Sequence, residues 1–192
     1  LLDTSLALTR LILSPGERAE ILVNFSGMVS QTVYLKSFGS ELLTGIYGAD
    51  TVGFGADTIH EYADNFLNGA DFNLLQLNVV PATGSPIVTI ANALVPYMPF
   101  NTLSATNYRT LVLDTIRLLP IDPPNRAEGP FGINSKTFDK DSINEVVYLN
   151  TTEIWTVVNK TLVAHPFHIH DIQFNVIEKG GQLPAPSEKG WK

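Results

Sequence analysis

The sequence contains no cysteine, and this absence excludes disulfide bonds, thiolate zinc sites and thiol nucleophiles within its 192 residues. It also lacks any cluster of basic residues, since 12 lysines and arginines stand against 19 acidic residues, for a net charge of -7. A nucleic-acid partner would need a basic patch, so this class of partner is excluded. No apolar run approaches the roughly 20 residues that a membrane-spanning helix requires.

Motifs of two large enzyme classes are also missing. There is no Gly-rich phosphate loop followed by a helix, and there is no Ser-centred nucleophile elbow. Hydrophobic residues make up 44% of the chain and charged residues only 16%, which is a composition that supports a packed core. The 14 glycines and 12 prolines are scattered along the chain and favour a loop-rich β protein.

Short apolar segments with turn signals between them predict an all-β fold built from β-sandwiches. Alternating apolar residues flank the turn Ser14-Pro15-Gly16-Glu17, so residues 6–25 are predicted as strand, turn and strand. Further strands or hairpins are predicted at residues 31–38, 72–80, 108–119, 131–138, 145–149, 153–159 and 171–178. The segment 153–159 carries apolar residues on both faces, which predicts burial on both sides.

Glycine and proline patterns predict the organisation of the chain. The glycine-rich residues 39–71 are interpreted as a long loop, either functional or a variable surface excursion, with a short helix near residues 58–66. The proline-rich residues 81–107 are interpreted as a linker between two domains, which divides the chain into 1–80, 81–107 and 108–192.

Three of the four histidines lie within six residues, in the segment His165-Pro166-Phe167-His168-Ile169-His170. Pro166 disfavours a helix there and pushes the residue before it toward extended geometry. In an extended chain His168 and His170 share a face, with Cα atoms about 6.6 Å apart, and they can bind one metal or two neighbouring metals. His165 then points to the opposite face, about 10 Å away, so the segment could serve two separate metal centres.

The type of ligand leaves the metal open, because imidazole suits copper, zinc, iron and nickel alike. His60, the fourth histidine, lies alone in the glycine-rich stretch. It is interpreted as a surface or locally bonded histidine rather than as a ligand.

The histidine segment resembles the His-Pro-x-His-x-His motif of multicopper oxidases, the family of laccases, bilirubin oxidases and cuprous oxidases. Residues 131–139 resemble the hairpin that opens the last cupredoxin domain of that family, and residues 153–159 resemble the strand before its ligands. Residues 13–20 resemble a Pro-Gly-Glu-Arg turn of the middle domain. The resemblance is closest over residues 130–192 and weakest over 39–107.

The resemblance implies cupredoxin-like Greek-key β-sandwiches in two partial domains. Residues 1–80 would be the C-terminal part of a middle domain, and 108–192 the N-terminal part of the last, copper-binding domain. His165 would ligate the type 1 copper, His168 the type 2 copper and His170 one type 3 copper. No catalytic residue beyond these copper ligands is implied, and the location would be periplasmic or extracellular.

The sequence departs from the family pattern, because it lacks the His-Cys-His segment and the two His-x-His pairs of the first domain. We therefore expect a piece of a longer protein that is inactive alone. Missing segments of the same protein, or a second chain, would complete its copper sites. The implied reaction oxidises a phenol, an aromatic amine or a metal ion by one electron and reduces oxygen to water.

Two other functions stay open on the sequence. A non-catalytic cupredoxin scaffold would have lost its coppers, and the presence of His165, His168 and His170 argues against it. A cupin-type mononuclear metal enzyme also uses His-x-His on a β barrel, but it needs a carboxylate a few residues later. This chain has Phe174 and Asn175 in that region.

Overall fold

The structure is a computed structural model, and it describes residues 2–52, 62, 64–87, 89–94, 96–116 and 131–192. The strands are β1 (Thr32–Phe38), β2 (Asp71–Asn78), β3 (Asn107–Thr115), β4 (Phe131–Ile133) and β5 (Glu153–Asn159). Within these described ranges the helical elements are short 3-10 turns at Gly39–Glu41, Thr102–Ser104 and Pro186–Glu188. The predicted all-β class is therefore confirmed. None of the helices in the described ranges is long and apolar enough to cross a membrane.

β1 and β2 form an antiparallel pair, with Thr32 opposite Asn78 and Phe38 opposite Asp71. The pairing shifts between Leu35 and the next residue, which is the signature of a β-bulge. The strands predicted at 31–38 and 72–80 are thus present within one or two residues of their expected bounds.

β3 lies at the centre of a three-stranded sheet with the order β4-β3-β5. β5 pairs with β3 in parallel, and β4 pairs with it antiparallel. After β4 the chain turns through Asn134 and Ser135, whose φ angles of 50° and 63° suit a tight hairpin turn. Ile133 consequently bridges Lys136, so the hairpin predicted at 131–138 is present.

Arg109 on β3 connects its strand to β5 and to the segment that contains Glu145 and Val146. Its Nε donates to Glu153 on β5 at 2.6 Å, and its Nη1 donates to Glu145 at 2.6 Å. Its Nη2 donates to the backbone carbonyl of Val146. The segment 145–149 was predicted as a strand, and that prediction is wrong, because the structure gives it no ladder and uses it as an acceptor for Arg109.

Two further strand predictions are wrong, at residues 6–25 and 171–178, where the structure has turns and irregular extended chain. The predicted turn is present, since the N–H of Glu17 donates to the carbonyl of Ser14 at 3.0 Å. Almost all side chains of 6–25 are exposed. Alternation alone does not form a strand, because a ladder also requires a hydrogen-bonded neighbour.

β5 differs from its prediction in burial. Thr156, Val157 and Asn159 are exposed, so the strand is not buried on both sides. The predicted strand itself is present, but the described residues cover only part of its surface.

The chain divides into two compact units. One unit contains Leu1–Ser30, Val79–Asn101 and Pro166–Lys192, and the other contains Gln31–Asn78 and Thr102–His165. The second unit carries both sheets and a small core of Val52, Tyr62 and Val163, against which Phe131 packs. The division into domains at residues 80 and 107 stays a prediction.

Candidate metal centre

The loop after β5 begins with a side-chain cap. Asn159 closes the strand, and its Nδ2 donates to the carbonyl of Val163 at 2.7 Å. Its Oδ1 accepts the N–H of Thr161 at 2.9 Å. Asparagine forms such local turns readily, because its side chain mimics a backbone peptide group. The cap folds residues 159–163 into a compact turn directly before the histidine segment.

The same loop is anchored to the core of its unit. Val163 is only 3% exposed and packs with Val52 and Tyr62. The N–H of the next residue, Ala164, donates to the carbonyl of Gly45 at 2.7 Å. The backbone on both sides of Val163 is therefore held before the chain reaches the first histidine.

Gly45 has two reasons to be glycine. Its φ angle is 94°, a region that other residues adopt only with strain, and a Cβ placed on it would lie 3.0 Å from the carbonyl oxygen of Leu162. Sequence reasoning left residues 39–71 open between a functional loop and a variable excursion. It missed Gly45, because the contact joins residues that are more than a hundred positions apart.

The ring of His165 is held on two sides. Its Nε2 lies 2.8 Å from the hydroxyl oxygen of Thr161, and its ring meets Phe131 edge-on with centroids 4.6 Å apart. The side chain is half-buried, and this burial lowers the pKa of His165 below its ordinary value. At neutral pH such a histidine favours the uncharged form, which is the form that binds metals.

His168 and His170 are brought together. Both are exposed, and their rings meet at 80° with centroids 4.7 Å apart. From His165 to His170 the exposure alternates residue by residue, and no helix is present, as expected for an extended chain. Neither ring makes a hydrogen bond to another of the residues that the structure describes, so the ring nitrogens of the pair are available.

The ligand roles of His165, His168 and His170 stay predictions. In the described part of the chain, no three histidine, aspartate or glutamate side chains cluster closely enough to hold a metal ion. His60 and most of the short helix predicted near 58–66 lie outside the described residues. Two functional candidates were missed by sequence reasoning, Thr161 and Phe131, since neither residue type signals contact with an imidazole.

Comparisons with known proteins point to one family. The family model described as "Multicopper oxidase" matches residues 113–192. A laccase of Bacillus stratosphericus is 27% identical over 168 residues, which cover 87% of this chain and 28% of that protein. A laccase of Bacillus subtilis is 25% identical over 215 residues, which cover 100% of this chain and 36% of that protein. Together with the strand-rich architecture, these matches confirm the all-β, cupredoxin-like fold class.

A relative that is named for cell division also matches the chain. The cell division protein FtsP of Proteus mirabilis is 27% identical over 196 residues, which cover 100% of this chain and 34% of that protein. No solved structure matches the chain. The chain spans about a third of the length of these curated relatives.

Proposed function

We propose that this chain supplies copper ligands to an oxidase, because residues 113–192 match the multicopper oxidase family and the chain is similar to two laccases. The enzyme oxidises a phenol, an aromatic amine or a low-valent metal ion by one electron and reduces oxygen to water. The observation that supports this most directly is the pair of exposed, adjacent imidazoles of His168 and His170, within the segment that matches the family.

Each histidine has a role in this proposal. His165 ligates the type 1 copper, His168 the type 2 copper and His170 one type 3 copper. Bound copper supplies the one-electron transfers and the reduction of oxygen. The protein supplies neutral imidazole donors, which copper binds well, and it fixes the direction in which they point.

The donor set of this chain is incomplete for such an enzyme. The sequence has no cysteine for a type 1 centre, and the described residues hold no group of three metal-binding side chains. In the proposal, other segments of the same protein or a second chain complete the copper sites. The resemblance to the family also leads us to expect a periplasmic or extracellular location, which cell fractionation checks.

A second function is a cupredoxin scaffold that binds or organises other proteins without copper chemistry. The match to FtsP along the whole chain favours it, because that relative is named for cell division and not for an oxidation. The two functions differ in one measurable property, which is the binding of copper.

The test is to measure copper in the protein at the full length that its gene encodes, after copper-replete expression under oxidising conditions. The oxidase proposal expects bound copper, a blue absorption from the thiolate-to-copper charge transfer, and consumption of oxygen with a phenolic donor. His165→Ala removes the blue absorption. His168→Ala and His170→Ala keep the blue absorption but lower the copper content and abolish oxygen consumption.

His60→Ala is the matched control, because it removes the one histidine outside the segment. It should leave the copper content and the oxygen consumption unchanged. A wild-type protein that binds no copper under these conditions overturns the oxidase and leaves the scaffold function.

A further inference from the structure

We propose that Thr161 is a positioning residue for His165, which fixes the imidazole as the Nε2–H tautomer. This inference rests on the proposed function, because it concerns the same histidine. It goes further in naming the residue that determines which ring nitrogen of His165 carries the proton. Four residues of the loop after β5 carry it.

The argument begins with the orientation of the Asn159 amide. Its Oδ1 accepts the backbone N–H of Thr161 at 2.9 Å, and its Nδ2 donates to the carbonyl of Val163 at 2.7 Å. Exchanging the oxygen and nitrogen of this amide would place two donors together at one end and two acceptors together at the other. The hydrogen-bond pattern therefore fixes Oδ1 as the atom that faces Thr161.

The second step concerns the single hydroxyl proton of Thr161. Its Oγ1 lies 2.7 Å from Oδ1 of Asn159 and 2.9 Å from the carbonyl oxygen of Val163. Both neighbours are acceptors with no proton to give, so the hydroxyl proton must point to one of them. A proton on either contact leaves one close oxygen–oxygen contact without a proton, whereas a proton that pointed to His165 would leave two.

The third step gives the tautomer of His165. Since the hydroxyl proton of Thr161 is already used, its Oγ1 accepts at its two remaining contacts, which are the N–H of Val163 at 3.4 Å and Nε2 of His165 at 2.8 Å. The proton of a neutral ring must then lie on Nε2. Nδ1 keeps its lone pair, and a lone pair on a ring nitrogen is what a metal ion requires.

The loop holds this arrangement in place. Val163 is buried in the core, and the edge-on contact with Phe131 limits rotation of the His165 ring. Partners of this kind, which hydrogen-bond the nitrogen that does not bind metal, orient the ligand and raise its basicity. Their loss lowers metal affinity by about 10-fold to 100-fold.

The first experiment reads the tautomer directly in the metal-free protein at its full encoded length. Long-range proton–nitrogen NMR of the imidazole rings, at about pH 8 and so above the ordinary histidine pKa of about 6.5, distinguishes a protonated Nε2 from a protonated Nδ1. We expect His165 to carry its proton on Nε2. A proton on Nδ1 in the wild type overturns the proposal.

The second experiment compares Thr161→Val, which removes the hydroxyl, with Thr161→Ser, which keeps it. Thr161→Val should mix the two tautomers of His165 and weaken copper binding by about 10-fold to 100-fold. Thr161→Ser should restore both properties to near the wild type. Asn159-Lys160-Thr161 is an Asn-x-Thr sequence that some hosts glycosylate. The variants are therefore expressed in a host that does not glycosylate it, so that Thr161→Val changes only the hydroxyl.

Thr151→Val is the matched control, because it removes a threonine hydroxyl that donates to the carbonyl of Tyr148 at 2.6 Å. It should change neither the tautomer nor the copper affinity. If Thr161→Val leaves both unchanged as well, the proposal is overturned.

Should the wild type bind no copper, the proposed function fails, while the tautomer in the metal-free protein still decides this inference. If Thr161→Val does not fold, the wild-type spectrum and Thr161→Ser decide it.

Discussion

The two ends of the histidine segment differ in how their rings are held. His165 is half-buried and contacts both Thr161 and Phe131. His168 and His170 are exposed and contact each other, with no hydrogen bond to the described residues. The first ring is oriented by its own protein surroundings, whereas the other two can take their final orientation from whatever they bind.

The difference arises from the backbone before each ring. The loop that leads to His165 is tied by the carbonyl of Gly45, by the side chain of Asn159 and by the burial of Val163. The chain from Pro166 to His170 is extended and irregular. Because the His165 side chain is already ordered, fixing it on metal binding has a smaller entropic cost than fixing the exposed rings.

Gly45→Ala should have the largest effect on the stability of the loop that holds His165. An alanine at a φ of 94° is strained by about 1–2 kcal/mol, and its Cβ would press on the carbonyl of Leu162 at 3.0 Å. We expect the free energy of unfolding to fall by about 2–3 kcal/mol in total. Urea unfolding of the metal-free protein measures it.

Gly48→Ala is the control for the strain alone. Gly48 has a similar φ of 99°, but its nearest neighbour would be the end of the flexible Leu42 side chain at 3.3 Å. Gly48→Ala should lower the free energy of unfolding by less than Gly45→Ala does, because it adds backbone strain but no close contact with a backbone carbonyl. Equal losses in the two variants would show that the contact with Leu162 contributes nothing to the loop.

A smaller effect is expected from Glu153→Gln on β5, the strand that leads into the loop. The hydrogen bond from Arg109 is the main reason that the pKa of Glu153 falls from its ordinary 4.5 to about 2. Because this pKa is lowered by folding, the carboxylate stabilises the protein above about pH 4.5, and this contribution is lost as the pH falls toward 2. Glutamine cannot be ionised, so the variant lacks this contribution at every pH.

Urea midpoints at pH 7 and pH 3 check this expectation. Glu153→Gln should be clearly less stable than the wild type at pH 7, by less than Gly45→Ala, and the difference should shrink at pH 3. Asp141→Asn serves as the control, because Asp141 pairs with Lys140 at 3.4 Å where both side chains are about 80% exposed. A gap between Glu153→Gln and wild type that stays constant with pH would contradict the role assigned to Arg109.

Local patterns were enough to predict the strands that pair in the structure. The apolar segments predicted as strands at 31–38, 72–80, 108–119 and 153–159 correspond to β1, β2, β3 and β5, and the spacing of His168 and His170 placed their rings together. The apolar alternation at residues 6–25 did not give a strand, because a sequence does not reveal whether a neighbouring strand is available to pair with it.

The contacts that hold the loop before His165 could not be predicted from the sequence. Gly45 meets the loop of residues 162–164 across more than a hundred positions, and only the fold brings them together. Asn159 and Thr161 carry no sequence signal for the hydrogen bonds that they make before His165.

The smallest effects come from removing the rings themselves from the metal-free protein. His165→Ala loses the contact with Phe131 and the hydrogen bond to Thr161, so we expect it to cost about 1–2 kcal/mol of unfolding free energy. His170→Ala removes an exposed ring with no hydrogen bond to the described residues, so it should change stability by less than about 0.5 kcal/mol. Thermal or urea unfolding without copper measures both. A loss in His170→Ala as large as that in His165→Ala would mean that the exposed pair is held by protein contacts of its own, and the contrast between the two ends of the segment would then disappear.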